Sequence, residues 1–211
     1  MCIGLNYKNH AKEAKMATPN LPVLFYKNLS AAQNPGDPIV VPKICQSPPE
    51  VDYECELAIV IGKTTKNVSV KDALQYVAGY TCANDVSARR WQTERVGTQW
   101  NYGKSFDTFC PLGPVIASPE AIPDPNSLKI STVLNGQTLQ SSNTNDMIFD
   151  VPTIIQFLSQ STTLLPGTVI LTGTPEGVGF ARRPPIYLKQ GDSVTIEIEN
   201  IGKLTNPVIE E

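Results

Sequence analysis

The chain has 211 residues, 18% of them charged and 41% apolar, with a formal charge of −3. That balance suits one globular domain over 1–211, since no linker or charge block divides it, and it excludes a disordered chain or a basic nucleic-acid binder. No apolar run approaches the roughly 18 residues of a membrane span, and five scattered cysteines without a Cys-x-x-Cys pair argue for free thiols in a reducing compartment.

Eighteen prolines and fourteen glycines cut the chain into short pieces, as in a β-rich fold with many turns. The opening, Met1-Cys-Ile-Gly-Leu-Asn-Tyr7, lacks a signal-peptide core and an Arg/Ser-rich transit segment. A cytoplasmic location is therefore expected, or a mitochondrial one if the native N-terminus is longer. Asn6–Lys15 reads as a short helix. It carries His10, the only histidine, with Glu13 at i+3, where two helical side chains can touch. Two readings stand there: an acid–base pair in which Glu13 orients the imidazole, or a surface pair on a lysine-rich helix. Strands are expected at Val23–Tyr26 and Ile39–Val41.

The next strand, Tyr53–Ile61, is the most informative. Leu57–Ile61 is apolar and rich in β-branched residues, an interior strand ending at Gly62. Glu54 and Glu56 are two residues apart, so a strand puts both on one face, about 7 Å from each other. Two like charges at that spacing repel by roughly 2 kcal/mol at an effective dielectric of about 20. At the mouth of a buried strand they need compensation, and a hard divalent cation (Mg²⁺, Mn²⁺ or Ca²⁺) supplies it through oxygen ligands. The alternative is an edge strand with both glutamates in solvent. Ser69 and Asp72 form an approximate capping box for a second helix. Val77–Ala83 is a further strand, and Asp85 follows it. Asp85 either caps a helix over Ser87–Arg95 or completes an all-oxygen triad with open positions for water or substrate.

Lys104 stands alone among aromatic and small residues, as the partner of an anionic substrate or as an ordinary snorkelling lysine. Strands are expected at Val115–Ala117, Lys129–Leu134 and Gln137–Gln140, with Asn135-Gly136 as a two-residue hairpin turn between the last two. Asp150 is placed to cap a helix over Pro152–Ser159. A strand at Val169–Thr172 runs into Leu171-Thr-Gly-Thr-Pro-Glu-Gly-Val-Gly179, whose glycine spacing is not that of a dinucleotide or Walker loop. Its N–H groups and the Thr172 and Thr174 hydroxyls either hold a carboxylate or close a plain tight turn. Val194–Glu199 is the last expected strand. Strands do not alternate regularly with helices, so a doubly wound fold is disfavoured.

Six segments together resemble the fumarylacetoacetate hydrolase superfamily. They are Cys2-Ile-Gly-Leu-Asn-Tyr-Lys-Asn-His10, Glu54-Cys-Glu56, Asn84-Asp-Val-Ser-Ala-Arg89, Gly103-Lys-Ser-Phe-Asp-Thr-Phe-Cys-Pro-Leu-Gly-Pro114, Ser141-Ser-Asn-Thr144 and Leu171–Gly179. They fall in family order from the first residues onward. Within the superfamily they are most similar to the domain-containing 2 group and the bacterial 2-hydroxyhepta-2,4-diene-1,7-dioate isomerases. The resemblance implies a β-rich α+β domain of mixed sheets, a β-sandwich roll with a few short helices, usually a homodimer. It implies Mg²⁺ or Mn²⁺ on Glu54, Glu56 and Asp85, and a catalytic His10–Glu13 dyad on a lid. Arg89, Gln92 and Lys104 match substrate-contacting positions, Lys104 with a catalytic part as well, and Thr174 lies in the loop that closes the pocket. Two departures stand out. Arg90 occupies a position that is often acidic in relatives, which puts the lid's charge pairing in question. The sequence begins almost at the Cys2–Tyr7 motif, where many relatives carry a longer N-terminal segment, so an internal start or a truncated gene model is open.

A 2-oxo acid can chelate such a cation through its carboxylate and carbonyl oxygens, favouring the enolate formed when a bond at C3 breaks. Moving a C3 proton is tautomerisation or isomerisation. Losing CO₂ from oxaloacetate is decarboxylation, and attack of a His10-activated water on a distal carbonyl is hydrolysis of an acylpyruvate. The expected function is a tautomerase, isomerase or decarboxylase of an oxaloacetate-like dicarboxylate. A C–C hydrolase of acylpyruvates or fumarylacetoacetate-like substrates is the alternative among enzymes, and a non-catalytic metal- and organic-acid-binding protein the alternative outside them. The expected partners are that small molecule and a second copy of the chain, with no nucleic acid or membrane.

Overall fold

A computed structural model of the protein describes residues 1–97 and 99–211. The chain opens with β1 (Cys2–Gly4), α1 (Lys8–Glu13), β2 (Val23–Phe25), β3 (Ala32–Gln33) and β4 (Ile39–Val41). Next come β5 (Val51–Asp52), β6 (Cys55–Ile61), β7 (Val77–Asn84), β8 (Ser87–Ala88) and α2 (Arg89–Thr93). After β9 (Cys110–Ala117), the hairpin of β10 (Lys129–Leu134) and β11 (Gln137–Asn143) leads to α3 (Val151–Ser159). The chain finishes with β12 (Val169–Leu171), β13 (Ser193–Ile198) and β14 (Gly202–Glu210).

Seven strands form one mixed sheet in the order β2-β1-β12-β6-β7-β9-β3, and five form a second in the order β11-β10-β13-β14-β4. β5 and β8 pair separately. The second sheet lays β10 and β13 against β6, and β13 and β14 against β7, so both sheets share one hydrophobic core. Every residue of β6 is buried. That explains why this strand is a continuous apolar run, whereas β10 and β13 alternate buried with less buried residues. The result is a sheet-rich fold with three short α-helices among the described residues, and it is not doubly wound. None of these helices is long and apolar enough to cross a membrane. All five cysteines are buried free thiols.

Several expected elements form as read. Asp150 accepts a hydrogen bond from the Thr153 N–H at 2.9 Å at the head of α3, and Asn135-Gly136 turns the hairpin with positive φ at both residues. Others differ for visible reasons. α1 starts only at Lys8, because the Asn6 amide is used to tie the Phe149 and Thr172 backbones to β1. The Ser69–Asp72 bonds form, but they close a turn before a single 3₁₀ turn at Ala73–Tyr76 and start no α-helix. Ser87 and Ala88 are strand residues paired with β5, so α2 begins at Arg89. β1, β3, β5 and β14 were not expected, and the first half of β9 was hidden by Pro111, Gly113 and Pro114.

Candidate active site and metal centre

Strand register assembles the carboxylates. β6 and β7 run antiparallel with Cys55 opposite Asn84, so Asp85, just past β7, comes level with Glu54, just before β6. The Asp85 N–H donates to the Glu54 carbonyl at 2.9 Å, and the Glu54 N–H to Asn84 Oδ1 at 3.0 Å. Glu54, Glu56 and Asp85, all buried, thereby offer one oxygen each within 4.8 Å of one another.

Cations surround two of the three acids. Lys104 Nζ lies 3.0 Å from Glu54, 2.6 Å from Asp85 and 2.8 Å from Ser87 Oγ. Lys27 Nζ holds the other oxygen of Asp85 at 2.5 Å. Arg89 bonds Asp52 at 2.8 Å, Glu54 at 2.7 Å and Gln92 at 3.1 Å, and its guanidinium stacks on Phe180 at 4.5 Å. Burial raises the Glu54 carboxyl, but Lys104 and Arg89 outweigh it and hold the group down at about 2. Glu56 goes the other way. Burial, then Asp85 and Glu54, push it well above the usual carboxylate range. Burial also opposes the Lys104 charge, yet Asp85 and Glu54 overcome it and raise the ammonium above its ordinary value.

This donor set suits a hard divalent ion. It is all oxygen, it converges, and among the described residues no cationic side chain bonds Glu56, so the repulsion from Asp85 and Glu54 outweighs the Lys104 charge and the Gly173 N–H at that corner. The Lys104 ammonium already marks the point between Glu54 and Asp85 where positive charge is stabilised.

His10 Nδ1 stands 3.3 Å from Glu13 Oε2, and both Glu13 oxygens accept from the Gly177 N–H at 3.0 and 3.1 Å. The pair is not a surface one: His10 is buried and faces a cavity of about 190 Å³. The cavity's polar wall is Glu54, Glu56, Arg89, Gln92, Lys104 and Thr174. Its apolar wall includes Ile3, Leu5, Met16, Phe25, Trp100 and Phe180. Asp85 does not line the cavity and meets its wall through Lys104. Thr174 is buried, with its hydroxyl accepting from Gln140 at 2.8 Å.

The Leu171–Gly179 segment does hold carboxylates, and they are the protein's own. Gly173 donates to Glu56 at 2.6 Å, Gly177 to Glu13, and Gly179 to Asp52 at 2.8 Å. Gly173 and Gly177 adopt φ of 100° and 96°, conformations that L side chains rarely take. Arg90 points away from the cavity, bonding Glu50 at 3.2 Å. The residues missed from the sequence are Asp52, Lys27 and Ser87. Asp52 shares the i, i+2, i+4 parity of Glu54 and Glu56, so a signal existed. Lys27 carried none, being 58 residues from Asp85.

The family model described as fumarylacetoacetate (FAA) hydrolase C-terminal matches residues 1–209. The chain is 52% identical to a fumarylacetoacetate hydrolase domain-containing protein 2 homolog of Dictyostelium discoideum, covering 99% of this chain and 70% of that protein. It is 49% identical to the mitochondrial oxaloacetate tautomerase FAHD2B of Homo sapiens, covering 99% of this chain and 66% of that one. It thus spans about two thirds of the length of these relatives. The crystal structure of a 2-hydroxyhepta-2,4-diene-1,7-dioate isomerase from Mycobacterium marinum superposes with a TM-score of 0.85 at 43% identity, over 100% of this chain and 73% of that one. Motif order, fold and relatives agree over nearly the whole length, and the chain belongs to the fumarylacetoacetate hydrolase family.

Proposed function

We propose that the protein is a Mg²⁺- or Mn²⁺-dependent tautomerase or isomerase of a small 2-oxo acid, with oxaloacetate or a similar dicarboxylate as substrate. One observation carries the reading: a convergent carboxylate triad, two of whose members line the cavity, stands beside a histidine that faces the same cavity and is bonded to Glu13. The tautomerase and isomerase names of the relatives support it.

In this reading Glu54, Glu56 and Asp85 hold the cation, which when bound supplies Lewis-acid stabilisation of negative charge. His10 moves the proton. Its Nδ1 is taken by Glu13, so transfer at the substrate carbon falls to Nε2. Burial raises the Glu13 carboxyl, but hydrogen bonds from His10 and Gly177 outweigh it and keep the group below its ordinary range, ionised to orient the ring. Lys104 keeps a positive charge at the polar wall, where it holds Glu54 and Asp85 in place and favours an anionic substrate. Arg89 and Gln92 contact the substrate from the polar wall, and Thr174 bounds the closing loop. The reading also takes 1–211 as one catalytic domain, a sandwich roll of sheets around the site, working as a homodimer. Its place is the mitochondrion named for the tautomerases, in preference to the cytoplasm.

The test is the keto–enol conversion of oxaloacetate followed by ultraviolet absorbance. Acceleration with Mg²⁺, lost on chelation and restored by Mn²⁺, is expected. Release of pyruvate from oxaloacetate without tautomerisation would replace the assignment by a decarboxylase, and cleavage of acetylpyruvate by a C–C hydrolase. Binding without turnover of either compound would leave a binding protein. Light scattering that gave a 23.0 kDa particle at micromolar concentration would refute the dimer.

A further inference from the structure

We infer that this site also takes 2-oxo acids with an apolar tail, and that Trp100 walls the outer pocket receiving that tail. The inference rests on the reading of the inner cavity as a 2-oxo acid site. A second cavity, of about 370 Å³, adjoins the inner one and shares Met16, Phe25, Thr93 and Trp100 with it. Its other walls are Val23, Leu24, Gly97 and Gln99.

The two cavities differ in chemistry. Ionisable groups crowd the inner one, whereas among the described residues no ionisable side chain lines the outer one. A second carboxylate directed outward would lose water and meet no cation. Methylene groups directed the same way would cover apolar surface that solvent now touches, since Met16 is 51% and Leu24 37% exposed. Because the four shared residues border both spaces, the outer pocket is the apolar space adjoining a molecule anchored on the polar wall. That adjacency is the ground for assigning the pocket to the tail of the bound acid.

The shared wall is well braced. The Trp100 ring meets Phe25 edge-on, with centroids 5.8 Å apart at 67°. It lies over Gly4 so closely that a Cβ there would overlap it. Phe25 in turn carries the Lys104 ammonium 4.8 Å from its centroid, so one ring ends the charged wall and begins the apolar one. Trp100 is therefore a specificity-determining residue, offering a large rigid face to aliphatic carbons at the junction.

Calorimetric titration of the Mn²⁺-loaded protein tests this with pyruvate, 2-oxobutanoate, 2-oxohexanoate and 2-oxooctanoate, and with oxaloacetate as reference. Affinity is expected to rise about threefold per added methylene. Trp100→Ala should reduce the ratio of 2-oxooctanoate to pyruvate affinity at least about tenfold. Leu24→Asp, on an edge strand and outside the inner cavity, should do the same and keeps the test decisive if Trp100→Ala does not fold. A flat or falling series, with pyruvate and oxaloacetate still bound, overturns the outer pocket alone. If no 2-oxo acid binds, oxaloacetate included, the reading of the inner cavity falls and the outer pocket with it.

Discussion

The two sheets treat charge in opposite ways. In the five-stranded sheet, the buried positions of β10 and β13 are Ile130, Leu134, Val194, Ile196 and Ile198, with Thr132 bonded to Gln140. Its Lys203–Glu197 ion pair stays in solvent. Beside the seven-stranded sheet, where β6 and β7 meet, four carboxylates are buried: Glu54, Glu56 and Asp85 with Asp52 of the adjoining β5, all but Glu56 paired with Arg89, Lys104 or Lys27. Folding alone explains the first arrangement. The second desolvates every ion it contains, and well-packed apolar residues would often do as well or better for stability. Such a cluster beside a cavity is the candidate site on which the proposed function is placed. One sheet is scaffold, and the other is scaffold that also positions the candidate site.

The contrast is broken most completely at Glu56. Glu56→Ala should take turnover to background and remove Mn²⁺ binding while circular dichroism stays native, because it deletes a repelled acid and leaves no cation without its partner. Wild-type turnover in this variant would sink the metal assignment. Next in size is His10→Ala, with an expected loss of about 10²–10⁴-fold in kcat/KM for tautomerisation and unchanged Mn²⁺ affinity. Glu13→Gln should act in the same direction and less. Equal loss on metal-driven decarboxylation would show that His10 is not specifically a proton carrier.

Asp85→Asn sharpens the same contrast through stability. It leaves Lys27 and Lys104 buried around a neutral amide and should cost about 3–5 kcal/mol in urea unfolding, whereas Glu56→Gln should be neutral or stabilising. Similar losses in both would contradict the imbalance of charge drawn here. A smaller effect is expected at Glu13, whose folded carboxyl is depressed by its partners. Its contribution is full above the ordinary glutamate value of about 4.3 and is lost as pH falls through the lower folded value. The difference in Tm between wild type and Glu13→Gln should therefore shrink as pH drops from about 6 to about 3, and a difference that grows on acidification would reverse the sign. Smallest of all, Lys203→Ala should shift stability by under about 0.5 kcal/mol, its 3.3 Å pair being solvent-exposed.

The candidate site was legible where its residues share a local pattern. Glu54 and Glu56 stand two apart at the mouth of an unbroken apolar run, and His10 and Glu13 three apart on a helical turn. Asp85 was visible as an acid closing a buried strand. Lys27 was not, because only the pairing of β2 with β1 and of β1 with β12 brings it under Asp85. The loop at 171–179 is open in sequence to holding a carboxylate or closing a plain tight turn, and that its N–H groups are used on Glu56, Glu13 and Asp52 is a fact of tertiary placement. β14 escaped because Pro207 and a polar composition hide its alternation of Leu204, Asn206 and Val208 inward.

The amino-acid sequence by itself determined the β-rich class, the buried strand and its two acids, the Asn135-Gly136 hairpin, the Asp150 cap and the family. Each of these depends on residues within a few positions of one another, or on motifs in a definite order. Tertiary structure alone decided that Asp85 stands level with Glu54, that Lys104 and Lys27 neutralise it, and that Arg89 is engaged by Asp52. It also decided that Trp100 closes a cavity over Gly4. The physical reason is common to all four: charge pairing and packing act through distances of a few ångströms in space, and strand register and sheet order set those distances between residues remote in the chain.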